Sequence, residues 1–223
     1  RPPRRVLRAG PVAGEDERLD RADRPAPAPD RRQRQLTRTG NAATGAGLAL
    51  LMGGRDDEAR LWLSRAAERY RESWEDAPVG SWGRPIGAIK ALVLAGDRAG
   101  AEDAARWALE ADAAGAESPI GGYAATLALL VLERDEEAHA IAATLQGRDD
   151  FPADVADALV AIATGERAAF AAAAAGVLDS FEAREEYLED VPVADTVLVL
   201  QALARERGLA AELRRSALLP DRE

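Results

Sequence analysis

The stretch "SWGRPIGAIKALVLAGD", residues 81–97, sets Gly83, Gly87 and the chain's only lysine, Lys90, ahead of a run of aliphatic side chains. A phosphate-cradling loop of the Walker type needs four residues between its glycines and a Lys-Ser/Thr pair directly after the second. Here three residues separate the glycines and Lys90 follows three further on, so the stretch is not such a loop. It reads instead as the start of a helix. Pro85 suits a first helical turn, where its missing N–H leaves nothing unpaired. Ile86, Ile89 and Val93 fall on one helical face. Gly87, Ala88 and Ala91 are small enough to let a neighbouring helix approach closely. On this reading Lys90 is a solvated side chain.

The opening of that helix recurs. "PIGGYAATLALLVLERD" begins at Pro119, 34 residues after Pro85, and further prolines stand at 152 and 192. Apolar sets with helical spacing follow each: Ile120, Leu127 and Val131; Val155, Leu159 and Ile162; Val193, Val197 and Leu200. A second mark lies between the prolines, in "GGRDDEA" (53–59), "AGDRAGA" (95–101), "ERDEEA" (133–138) and "TGERAA" (164–169). Glycine favours a helix C-terminus, and an acid favours the next N-terminus with its unpaired N–H groups. Helix, tight turn and helix therefore repeat with a period of 33 to 40 residues. Such a period of helical hairpins marks an α-solenoid.

The expected fold is all-α, a tetratricopeptide-like solenoid of about nine helices. They are expected over 41–53, 56–75, 84–95, 98–114, 119–132, 135–146, 152–163, 166–187 and 192–206, as four hairpins and a terminal helix. Composition agrees: the 223 residues include 51 alanines, only 4% are aromatic, and alternating β-branched runs are nearly absent. Residues 1–38, with 11 arginines, several prolines and no helical apolar pattern, are expected to be disordered, leaving 39–223 as one domain.

Charge and composition narrow the chemistry. The net charge is −10, and once the basic N-terminal segment is set aside the remainder carries −15. An acidic body repels nucleic acid phosphates, and it either attracts a basic protein partner or simply keeps the protein in solution. The absence of cysteine removes disulfides, thiolate catalysis and thiolate-held metals. No apolar run approaches the roughly 18 residues of a membrane-spanning helix, and the N-terminus lacks the apolar core of a signal peptide. The expectation is a cytoplasmic protein.

The single histidine, His139, forms one Glu-x-x-His unit with Glu136, whereas a di-iron bundle needs two. No metal, cofactor or catalytic residue is therefore expected. In "SFEAREEYLED", Glu182, Glu185, Glu186 and Glu189 share a face if the helix runs through them, with Asp190 following, and this acidic face is the expected site for a basic partner. Trp62, Tyr70, Trp74 and Trp107 are expected in the core. Trp82, Arg84 and Tyr123, near the starts of successive first helices, are expected instead to reach a partner from the solenoid edge.

The C-terminal runs "TGERAAFAAAAAGVLDSFEARE" (164–185) and "VPVADTVLVLQALARERGLAAELRRSALLP" (191–220) resemble the end of bacterial all-helical proteins of the immunity protein 49 family. The shared pattern is a small residue, an acid and a hydrophobic pair opening a long helix, then a terminal helix ending in "RG" before an "S-x-x-LP" tail. The resemblance covers about 60 residues and implies a protein that neutralises a cognate toxin by binding it, without catalysis. A general scaffold that cradles a peptide is an alternative, and so is an enzyme using Glu185, Glu189 and Asp195.

Overall fold

A computed structural model describes residues 29–221. Among them are nine α-helices and no strand. They are α1 (Pro29–Met52), α2 (Asp56–Trp74), α3 (Gly83–Ala95), α4 (Arg98–Glu110), α5 (Pro119–Val131), α6 (Asp135–Ala142), α7 (Ala153–Thr164), α8 (Arg167–Glu182) and α9 (Asp195–Glu206). Two 3-10 turns, Ala113–Gly115 and Leu188–Asp190, precede α5 and α9. The all-α class is as expected.

The four turn signatures fold alike. Gly54, Gly96, Glu133 and Gly165 each adopt a left-handed backbone, with φ of 67°, 68°, 57° and 76°. The N–H one residue later reaches back five residues: Arg55 to Leu50, Asp97 to Leu92, Arg134 to Leu129 and Glu166 to Ala161, all at 2.9–3.0 Å. This closure satisfies carbonyls that the helix end would otherwise leave unpaired. Of the acids at these turns only Asp97 caps with its side chain, accepting from the Gly100 N–H at 3.0 Å. Pro119 opens α5 directly and Pro85 lies in the first turn of α3; Pro152 stands just before α7, and Pro192 lies three residues ahead of α9.

Each helix packs on the next along the chain, and the first helices of successive hairpins, α3, α5 and α7, also pack on one another. α5 sits at the centre, with every residue from Gly121 to Val131 buried. Leu127, Leu130, Leu159, Ile162, Phe170 and Leu178 form the core around it. Besides the last hairpin, α7 and α8, the terminal helix α9 packs on α3, and the 3-10 turn before it packs on α1. Arg207 fastens the far end of α9, donating to the Leu130 carbonyl at 2.7 Å and pairing with Asp135 at 2.5 Å.

Five boundaries differ from expectation by three residues or more. α1 begins at Pro29, so residues 29–38, expected to be disordered, are helical, while 1–28 lie outside the described residues. Two of the three inward positions of this extension are polar: Gln33 is buried, Thr37 is half-buried beside Leu36, and Thr37 Oγ1 donates to the Gln33 carbonyl at 2.9 Å. A test for apolar spacing passes over such a face. α4 ends at Glu110, α6 at Ala142 and α8 at Glu182, each four or five residues earlier than expected, and α9 starts at Asp195, three residues later. Ile120 also proves exposed, at the first turn of α5.

Glu133 is the one non-glycine among the four left-handed positions, a conformation that costs an ordinary residue about 1–2 kcal/mol. Its side chain contributes only an exposed pair with Arg98 at 3.1 Å. Glu133→Gly should raise the unfolding free energy by about 0.5–1 kcal/mol, and Gly165→Ala should lower it by about 1 kcal/mol. Denaturant titration measures both; a loss of stability in Glu133→Gly would contradict the turn assignment.

Candidate functional site

Arg84, Lys90 and Asp195 are the charged residues lining a cleft of about 380 Å³, with Thr37, Asn41, Thr44 and Tyr70 on one wall and Ser81, Trp82 and Leu188 on another. The cleft is assembled from α1, α2, α3, the loop before α3 and the start of α9. The opening stretch of sequence thus supplies one side of it.

At its floor Lys90 Nζ pairs with Asp195 at 2.5 Å and donates to Thr196 Oγ1 at 3.0 Å. The two charged side chains keep only 17% and 20% of their surface. Lys90 is therefore not the solvated residue the sequence suggested. Burial works to lower its pKa, but the Asp195 carboxylate beside it prevails with help from Tyr123, and the pKa is raised. The ammonium stays protonated and has no lone pair to offer as a nucleophile or base.

Tyr70 is set in a slot between two helices. A methyl group in place of either glycine hydrogen would come within 2.9 Å of the ring at Gly40 and 2.7 Å at Gly87. The close approach inferred for Gly87 is therefore an approach to an aromatic ring. The Tyr70 hydroxyl meets Thr44 Oγ1 at 3.1 Å and donates to Asn41 Oδ1 at 3.0 Å. Burial raises its pKa.

Arg84 lies half-buried at the cleft wall. Its Nε donates to Ser73 Oγ at 3.0 Å and its Nη2 to Gln33 Oε1, both neutral acceptors. Gln33 in turn donates to Asp30 at 3.1 Å, and Asp30 is itself paired with Arg34. No carboxylate among the described residues pairs with Arg84, and burial lowers its pKa.

The other expected contact residues divide. Trp82 and Tyr123 are not exposed edge residues, retaining 8% and 9% of their surface. Trp82 packs 5.7 Å from Trp74, whose other neighbour is Trp107 at 5.7 Å, and it fills a small core with Ala113, Ala124 and Ala125. Large apolar surface at a helix start has been drawn inward by the alanines of α5. Tyr123 packs against Phe151 at 5.6 Å, and its buried hydroxyl has no hydrogen-bond partner among the described residues. Of the aromatics expected in the core, Trp62 is exposed at 40%, with the Arg65 guanidinium over its ring.

The acidic residues do not form one helical face. α8 stops at Glu182, where the Tyr187 hydroxyl donates to the Phe181 carbonyl at 2.9 Å and so occupies an end the helix leaves open. Glu182 binds Arg214 and Ser216 of the C-terminal tail, and these hydrogen bonds hold its pKa at about 2. Glu185 and Glu186 remain exposed in an irregular segment. Glu189 and Asp190 occupy left-handed backbone, and Glu189 lines an open groove that Arg31, Arg34 and Arg38 of α1 also line, with no ion pair to it among the described residues. His139 is exposed, and no group of potential metal ligands gathers among the described residues.

A scan against protein-family models, a search of curated proteins and a search of solved structures each find no match. The cleft is thus defined by its own geometry. Sequence reasoning missed Thr37, Asn41, Thr44 and Tyr70 as its walls, because polar residues at helical spacing leave no apolar signal; the small residues at Gly40 and Gly87, which admit the Tyr70 ring, were the available clue.

The two tyrosines should respond oppositely to loss of their hydroxyls. Tyr123→Phe removes an unsatisfied buried group and should leave stability unchanged or raise it by about 1 kcal/mol. Tyr70→Phe breaks two contacts and should lower it by about 1–2 kcal/mol. Thermal unfolding of the two variants distinguishes them, and a clear loss in Tyr123→Phe would mean that its hydroxyl is bonded after all.

Proposed function

We propose that the chain is a non-catalytic, protein-binding helical-repeat protein, a tetratricopeptide-like solenoid closed by its last helix, and that its specific role is to neutralise a cognate toxin as an immunity protein. The observation that carries the binding reading is the preset geometry of the cleft. Tyr70 is held by Thr44 and Asn41, Lys90 by Asp195 and Thr196, and Arg84 by Ser73 and Gln33. Polar groups fixed before binding lose little conformational freedom when a partner docks, which favours affinity and specificity.

The enzyme reading finds less support. Of its three carboxylates, Asp195 is engaged with Lys90, Glu185 is exposed in an irregular segment, and Glu189 lies in a separate groove along α1. They share no pocket in which one could hold a proton for another. The toxin-neutralising role rests on the C-terminal resemblance and on the acidic body. The contact itself we place at the cleft, since the expected acidic face is divided between the tail, solvent and α1.

Site-specific photocrosslinking in cells tests the binding reading. A photoreactive residue at Ser81, on the cleft rim, should give a discrete adduct with one protein, and the same residue at Asp112, on the turn before α5, should not. Equal labelling at both positions, or none at Ser81, would remove the cleft as the contact. The toxin-neutralising role predicts that expression of the chain protects cells from the captured protein when that protein is produced alone; no protection would leave a scaffold rather than an immunity protein.

A further inference from the structure

The cleft holds a charge that no other described residue answers. Lys90 is neutralised by Asp195, while Arg84 at the wall makes hydrogen bonds only to neutral oxygens, so the lining residues sum to one positive charge. A guanidinium has five N–H donors in a planar fork. Ser73 and Gln33 take two of them, from Nε and Nη2, which leaves Nη1 and the second Nη2 hydrogen for another acceptor. A half-buried cation is poorly solvated, and an anion supplied from outside gains most where water is already displaced.

The surroundings favour the same sign. α3 begins beside Arg84 with no side-chain cap and no acid in its first turn, so the positive end of its dipole is unopposed there. Apolar surface adjoins it: Leu188 lines the cleft at 39% exposure, and Val79, next to the lining residue Gly80, is fully exposed. A small free anion would use Arg84 but not this apolar surface.

Resting on the protein-binding reading, we infer that the cleft receives an acidic side chain of the partner protein, flanked by an apolar residue, with the carboxylate on Arg84 and the apolar side chain against Leu188 and Val79. This assigns the cleft a partner chemistry opposite in sign to the one that the net charge of the chain suggests. The acidic body can still steer a basic protein at long range, whereas the residue that enters the cleft is an acid.

The test uses the full chain and small probes, and needs no knowledge of the partner. Acetyl-Leu-Glu-amide, acetyl-Leu-Gln-amide and acetate are titrated while the Arg84 side-chain N–H resonance and tryptophan fluorescence are followed. The glutamate dipeptide should shift the Arg84 resonance and bind about tenfold or more tightly than the glutamine dipeptide, as loss of a charge-assisted pair requires. It should also bind more tightly than acetate, because acetate has nothing to place on the apolar surface. Arg84→Gln should abolish the difference between dipeptides, and Arg84→Lys should keep part of it, with circular dichroism showing both variants folded. Equal binding of the two dipeptides, or no shift of Arg84 at tens of millimolar probe, overturns the carboxylate site. Acetate binding as tightly as the dipeptide overturns the protein-side-chain assignment in favour of a free anion. These outcomes do not bear on the crosslinking at Ser81, which tests the binding reading separately.

Discussion

The Lys90–Asp195 pair fixes the last helix of the fold against the second hairpin. Lys90 lies on α3, in the second hairpin, and Asp195 is the first residue of the last helix, more than a hundred positions later. Removing either charged group leaves the other in a setting with little water, a loss typically of about 3–5 kcal/mol. That penalty holds α9 against α3 rather than leaving it as the last element of an open array. Arg207 fixes the other end of α9 to the end of α5 and the start of α6. With both ends held, Val197, Leu200 and Leu203 are buried and α5 is covered on all sides.

The same closure creates the cleft. Asp195 and Leu188, from either side of the segment leading into α9, complete walls that α1, α2 and α3 begin. Gly40 and Gly87 admit the Tyr70 ring between α1 and α3, and the ring's hydroxyl then fixes Thr44 and Asn41. Packing and the proposed recognition therefore depend on the same side chains. This accounts for a polar seam inside an alanine-rich helical protein, where burying a hydroxyl or amide is tolerated only with its partners in place.

The helices were largely legible because their signals are local. Left-handed glycines at positions 54, 96 and 165 and prolines near the starts of α3, α5 and α7 mark boundaries through backbone sterics alone. Even Glu133, with no glycine, was found from the acids that follow it. The first turns of α1 were not legible, since Gln33 and Thr37 face inward without apolar character. The end of α8 was missed because it depends on Tyr187, five residues beyond the helix, reaching back to Phe181. Lys90 was misread for a different reason. Its spacing in the sequence says that it is on a helix, but only the fold reveals that Asp195 has been brought beside it, and a lysine with no neighbouring acid in sequence looks like a surface residue.

The most direct test of this account is a double-mutant cycle on that pair, with Lys90→Met, Asp195→Asn and the combination measured by denaturant unfolding at neutral pH. If the pair pins α9 to α3, each single change lowers stability by about 3–5 kcal/mol and the double change by less than their sum, with a coupling above about 1 kcal/mol. Additivity within about 0.5 kcal/mol would show that the two residues do not act on each other and that α9 is held in place by other contacts.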